Sequence, residues 1–265
     1  MNATRPGGRA APFRIPAAAA AIALLASLWT PQAWAQGGDA ALEPTESQWG
    51  LGVGAAARRK PYRDVGTSYS AIPVLSYENR WLHVSGLTAD LKLPSLGPVS
   101  FRLRTRYGLS DGYEASDSAA LEGMADRNAR LWFGGAAIWR DPIADVSAEW
   151  LGSADGHKAA LQVSRGFQYG NFRLTPHVSA QWVSADNVDY YYGVRASEAR
   201  VGRPQYQGDS TVNLTAGLRV DYRLARHHQL FLDVSATRLG SAIKDSPIVD
   251  RSNMTSVAVG YLYRF

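Results

Sequence analysis

The final residues of the chain alternate in polarity up to the last one. Val257, Val259, Tyr261, Tyr263 and Phe265 share one face, and Ser256, Ala258, Gly260 and Arg264 share the other. Leu262 is the one apolar residue on the polar side. A period of two belongs to a β-strand with an apolar and a wet face. Soluble domains usually end in a few loosely ordered residues, whereas this pattern runs straight into an aromatic. Three earlier stretches repeat it. In 98–109, Val99, Phe101, Leu103, Thr105, Tyr107 and Leu109 alternate with Arg102, Arg104 and Arg106. In 171–183, Phe172, Leu174, Val178, Ala180 and Trp182 alternate with Arg173, Thr175, His177, Ser179 and Gln181. In 210–224, Val212, Leu214, Ala216, Leu218, Val220, Tyr222 and Leu224 alternate with Asn213, Thr215, Arg219, Asp221 and Arg223. Each has the roughly 9–11 residues that a tilted strand needs to cross a bilayer. Strands of soluble proteins run to about five or six. The apolar faces are therefore expected to touch lipid.

The beginning of the chain points the same way. Arg5, Arg9 and Arg14 precede an apolar run at 17–29, too short to span a membrane, and Ala33-Trp34-Ala35 follows as a small-x-small cleavage pattern. The expected organisation is a signal peptide over 1–35, a short periplasmic segment over 36–48 and a barrel domain over 49–265. The formal charge of +5 includes the three signal arginines, so the exported chain is close to neutral and lacks a nucleic-acid footprint. The absence of cysteine removes lipid attachment at the signal, disulfides and thiolate chemistry. Abundant glycine and aromatic residues with a slightly negative mean hydropathy suit a transmembrane β-barrel, in which half of each strand faces a wet interior.

Connection lengths set the strand count. Working back from Phe265, the links are long at 241–252, short near 225–228, long at 184–208 and short near 169–170. They continue moderate at 153–156, short at Asp141-Pro142, long at 110–128 and short at 94–97. Short periplasmic turns and longer outer loops alternate in such barrels. For that alternation to persist, 80–93 must hold two short strands with an outer turn near Ser85-Gly86, followed by an inner turn at Glu78-Asn79 and an outer loop at 60–68. The fold expected is all-β: a closed antiparallel transmembrane barrel of twelve strands, with both ends in the periplasm. Closure is required because lipid cannot satisfy an open edge.

Several segments together resemble the MipA/OmpV family (MipA for MltA-interacting protein). They are WGLGVGAAARRKPY from Trp49, YYGVRASEARVGRPQY over 191–206 and DSPIVDR over 245–251. The family pattern covers Tyr191, Tyr192, Gly193, Val194, Pro204 and Tyr206 in one loop, and Asp245, Ser246 and Pro247 in the last. Gly260, Tyr263 and Phe265 resemble the signal read by the barrel assembly machinery. The resemblance implies a non-enzymatic protein of the Gram-negative outer membrane, held in its lipid. It further implies a scaffold between a lytic transglycosylase and a murein synthase, or else an adhesin or envelope-stress role.

Catalytic patterns are weak. Gly108-Leu109-Ser110-Asp111-Gly112 has the form of a nucleophile elbow but ends a membrane strand, where the parallel sheet and helix that motif needs are missing. Ser241-Ala242-Ile243-Lys244 lies in a loop without partner motifs, and Gly50, Gly52 and Gly54 fall on the small face of the first strand. The five histidines show no metal-ligand spacing, and His83 and His157 have no serine companion for a barrel lipase. No catalytic residue, cofactor or metal is expected. The inward arginines carry more chemistry. Arg102, Arg104 and Arg106, joined by Arg173, Arg219 and Arg223, form either an anion-selective row or a network neutralised by acids such as Asp221 and Asp233. The loop tyrosines with Arg195, Arg200 and Arg203 are either a recognition surface or a cover folded over the mouth.

Overall fold

The structure, a computed structural model, describes residues 47–108 and 111–265. The expected signal peptide, most of the 36–48 segment, Leu109 and Ser110 lie outside the described residues. Strands β1 (Gln48–Arg59) and β2 (Thr67–Glu78) pair along their whole length. β3 (Leu82–Ser85) and β4 (Thr88–Lys92) make a short hairpin, and β5 (Val99–Gly108), β6 (Arg130–Arg140), β7 (Asp145–Ser153) and β8 (Gly156–Ser164) follow. β9 (Phe167–Tyr169) continues β8, and both pair with β10 (Phe172–Val183) in one register. β11 (Thr211–Ala225), β12 (His228–Arg238) and β13 (Asn253–Arg264) complete the order. β10 pairs with β11 and β13 with β1, so the sheet closes.

β8 and β9 are two pieces of one stave, so the barrel has the twelve expected strands. Pro176 explains the break between them. Its carbonyl accepts from Arg165 N–H at 3.2 Å, so its ring nitrogen also faces the β8 side and has no hydrogen to give there. The two short strands expected in 80–93 are present, turning at Gly86, whose φ of 54° suits glycine.

Outward residues form an exposed apolar belt. Trp49, Tyr77, Trp81, Trp139, Phe172 and Tyr222 gather near the short-turn rim, with Trp49 against Tyr77 at 4.3 Å and Phe172 against Tyr222 at 4.5 Å. Such aromatics sit at the membrane interface. Val257, Val259 and Phe265 point outward, and Phe265 N–H donates to the Trp49 carbonyl at 2.9 Å, joining the last residue to the first strand. Leu262 points inward, into an apolar patch with Ala56, Ile72, Val74, Phe231 and Ala258. One wall of the lumen is therefore dry, which the alternation alone did not indicate.

The long connections all emerge at one end. They contain two α-helices where the sequence pattern predicts loop: α1 (Ala185–Tyr192) and α2 (Ser241–Lys244). Ser184 caps α1, its Oγ accepting from Asn187 N–H at 3.4 Å, a start signal present in the sequence.

Candidate functional site: the lumen and its cover

β5 places Arg102, Arg104 and Arg106 on successive inward positions, all buried. Their partners are Asp90 of β4 and Glu149 of β7. Arg102 reaches Asp90 at 3.0 Å, and Arg104 grips Asp90 with two bonds of 2.7 and 2.8 Å. Arg104 also reaches Glu149 at 2.6 Å, and Arg106 grips Glu149 with bonds of 2.8 and 2.9 Å. Guanidinium and carboxylate alternate along the wall in the bidentate geometry that makes such bonds strong. The β5 row uses neither of the acids expected from sequence, although one of them serves Arg219. Asp221 pairs with Arg219 at 2.8 Å and accepts from Gln229 at 3.0 Å, on another part of the wall. Asp233 faces the lumen cavity. Asp90 and Glu149 were missed because pairing across β4, β5 and β7 depends on strand register, which a single strand does not reveal.

Two of the six arginines sit elsewhere than expected. Arg223 is exposed at the short-turn rim, and Arg173 is half-buried there against Gly166. Both have partners. His83 is buried against Glu78, which also holds Lys92. His157 stacks on Trp150 at 5.1 Å on the outer face. No group of three metal-ligating side chains occurs among the described residues.

The cover has a core of its own. Tyr62, Tyr113, Leu121, Val188, Val194, Ile243, Ile248 and Val249, from four connections, form one buried cluster against which Tyr192 and Tyr206 pack. Fully burying a side chain of this size contributes about 1.5–3 kcal/mol. Ser246 Oγ donates to the Tyr192 carbonyl at 2.6 Å and Tyr206 O–H to the Ala242 carbonyl at 2.7 Å, so the two family motifs lock together. Val194 and Tyr206 exchange backbone bonds of 2.8 and 3.0 Å. Gly193 is buried, whereas Pro204 and Asp245 are exposed and Pro247 half-buried.

Glu198, unremarked in the sequence, is the charged centre of the cover. Arg127 donates to both its oxygens at 3.0 and 2.9 Å, and the backbone N–H groups of Ala125 and Arg195 donate at 3.0 Å each. Burial alone would raise this carboxyl, but those bonds outweigh it and hold it below the ordinary glutamate value. Arg203 is buried and ties the Glu198, Ala120 and Glu122 carbonyls, while Arg195 is exposed. Burial pushes the Tyr113 hydroxyl up to about 12. Beneath the cover lies a cavity of ≈ 210 Å³, lined in part by Arg58, Lys60, Arg106, Glu149, Lys158 and Asp233.

Comparison of the sequence with known families identifies the chain's kin. The profile of the family described as MltA-interacting protein MipA matches residues 51–265. The chain belongs to the MipA family. YiaT of Escherichia coli strain K12 is 27% identical over 227 residues, covering 83% of this chain and 92% of YiaT. The MltA-interacting protein of the same strain is 25% identical over 229 residues, covering 83% and 91%. Among solved structures, the COG4313 outer membrane channel from Pseudomonas putida F1 covers 85% of this chain and 97% of its own, at 12% identity and a TM-score of 0.46. This MipA-family chain is an outer-membrane protein, as its lipid-facing belt and its relatives together establish.

Proposed function

We propose that this MipA-family barrel is a non-enzymatic protein, closed to ion flow, that works by contact with other envelope proteins. The observation that carries the reading is double closure: carboxylates interleave the arginine row, and four connections share a buried core over the mouth. A row neutralised in this way loses the field that would select anions. The name of the MltA-interacting relative suggests a lytic transglycosylase as one partner, and family resemblance adds a murein synthase. Outer loops cannot reach periplasmic enzymes, so the short-turn end is the contact surface. There Leu96 and Ile143 are each 72% exposed on neighbouring turns, which Arg140 N–H joins by donating to the Pro98 carbonyl at 3.3 Å. Replacing Leu96 and Ile143 with Asp should abolish co-purification of the transglycosylase while leaving the barrel inserted. Unchanged recovery of the enzyme with that double variant counts against the contact surface.

A second reading is an anion channel, favoured by three row arginines against two carboxylates. The purified protein in a planar bilayer under a salt gradient separates the two. Silence supports the closed barrel. Steady anion-selective conductance, reduced on changing Arg102, Arg104 and Arg106 to Ser, supports the channel.

A further inference from the structure

The hydrogen-bonding capacity of the lumen is spent on one side and free on the other. The cations that line the cavity are committed. Arg104 and Arg106 are held by Asp90 and Glu149. Lys158 is held by Asp111 at 2.7 Å, Lys60 by Asp117 at 3.2 Å, and Arg58 has a partner as well. A charged ligand would have to separate such pairs, and an ion left buried without its countercharge is strongly unfavourable. The cavity is therefore built to exclude ions, and its free groups lie elsewhere on the wall.

From β7 round to β13 the lining is mostly neutral and polar. Ser147, Gln162, Ser179, Thr215 and Thr237 stand side by side in register on β7, β8, β10, β11 and β12. Gln181 lies one inward step from Ser179 towards the outer end, and Ser235 faces Ser256 across β12 and β13. All of them line the cavity. The hydroxyls of Thr215 and Thr237 bond each other at 2.9 Å. Among the described residues, the side chains of Ser147, Gln162, Ser179, Gln181, Ser235 and Ser256 bond no other protein group. Each of these hydroxyls and amides can both donate and accept. Two donors face the same space from nearer the cover. Trp132 and Asn187 are each 2% exposed and line the cavity, yet Trp132 Nε1 and Asn187 Nδ2 have no partner. A buried donor without an acceptor is destabilising, so two at one cavity point to an occupant.

These groups give the ligand class. Asp233 adds one strong acceptor: among the described residues no hydrogen bond or ion pair reaches its carboxylate. Arg219 stands opposite it in register, so the spot has no surplus negative charge to hold a cation. A carboxylate accepts strongly from hydroxyl groups. Leu151 and Val183, at the upper ends of β7 and β10, add an apolar shoulder on which the C–H face of a ring can lie. A partner for all of these is uncharged, carries several hydroxyls and has one apolar face. The volume of ≈ 210 Å³ equals about seven waters at about 30 Å³ each, which suits one hexose and excludes a longer saccharide. We propose that the lumen cavity is a binding site for a neutral monosaccharide, held by the β7–β13 belt, Asp233, Trp132 and Asn187. The site stands whether or not the short-turn end binds periplasmic enzymes.

The test uses the full mature protein in nanodiscs, incubated with sugar until the signal is constant, because the cover has to part for entry. Calorimetry with glucose, galactose and mannose should show saturable binding of at least one of them, at one per barrel. The uronate and the 2-amino sugar of the same ring should each bind at least about tenfold more weakly, since either brings a charge among matched pairs. Gln162→Leu keeps the bulk of the side chain without its amide, and Ser179→Ala removes one hydroxyl. Each should weaken binding roughly tenfold. Ser164→Ala, inward on β8 but outside the cavity lining, should bind as the parent does. Heat-modifiable migration confirms folding in each case. No binding of any of the three hexoses, equal binding of the charged counterparts, or unaltered binding by both belt variants overturns the proposal. The indole N–H resonances give a check on the parent protein. That of Trp132 should move when the hexose is added, and that of Trp150, exposed on the outer face, should not. A Trp132 signal that stays fixed at saturating sugar overturns the site.

Discussion

Glu198 decides whether the cover holds. It is 5% exposed and its partner Arg127 3%, so Glu198→Gln leaves a buried guanidinium without a countercharge. Breaking a buried pair in this way costs about 3–5 kcal/mol. The expected result is rapid tryptic cleavage at Arg195 or Arg200 in a barrel that still migrates as folded. Acid should act on the same group. Its folded pKa is depressed, so its contribution is complete above the unfolded value of about 4.3 and is lost as pH falls through the folded value. Hydrogen exchange over 195–203, corrected for intrinsic rate, should be constant between pH 7 and 5 and accelerate below about pH 4. In the lumen, Asp90→Asn strips Arg102 of its carboxylate and Arg104 of one of two. The urea midpoint for unfolding should fall by an amount equivalent to about 3–5 kcal/mol, and no change would show the row to be held by something other than these pairs.

Among the elements, the seam between β1 and β13 closes the barrel. Gly52 lies opposite Leu262, and a Cβ added there would run into the Tyr261 carbonyl. Gly52→Val should therefore block closure and abolish heat-modifiable migration, whereas Gly66→Ala, in open space, should leave it unchanged. Phe265 acts at another stage. It is 69% exposed, so its loss removes little from the finished fold. Deleting it or replacing it with Asp should lower the amount inserted in the outer membrane at constant transcript. Normal levels of protease-resistant protein in that variant would rule out an assembly role.

For the whole molecule, the proposed closure has two candidate barriers: the charge network within the wall and the cover above it. Replacing 241–252 with a tight turn removes Ile243, Ile248 and Val249 from the shared core and breaks the bonds of Ser246 and Ala242 to the tyrosine loop. If the cover is the barrier, that variant should conduct in a planar bilayer while the parent stays silent. A variant as silent as the parent would place the barrier in the lumen.

The class of fold is legible in pattern and spacing. Alternation from Val257 to Phe265 and along 98–109 fixes which residues meet lipid, because side chains on a strand have a strict period of two. The rhythm of short and long links fixes twelve strands, even through the brief pieces at 82–85 and 88–92. Tertiary structure alone decided the pairings. Asp90 and Glu149 reach the arginine row from strands on either side of it, and Glu198 meets Arg127 across 71 positions of chain. Parity assigns a residue to a face; only the closed register of neighbouring strands and the packing of four loops assign it a partner.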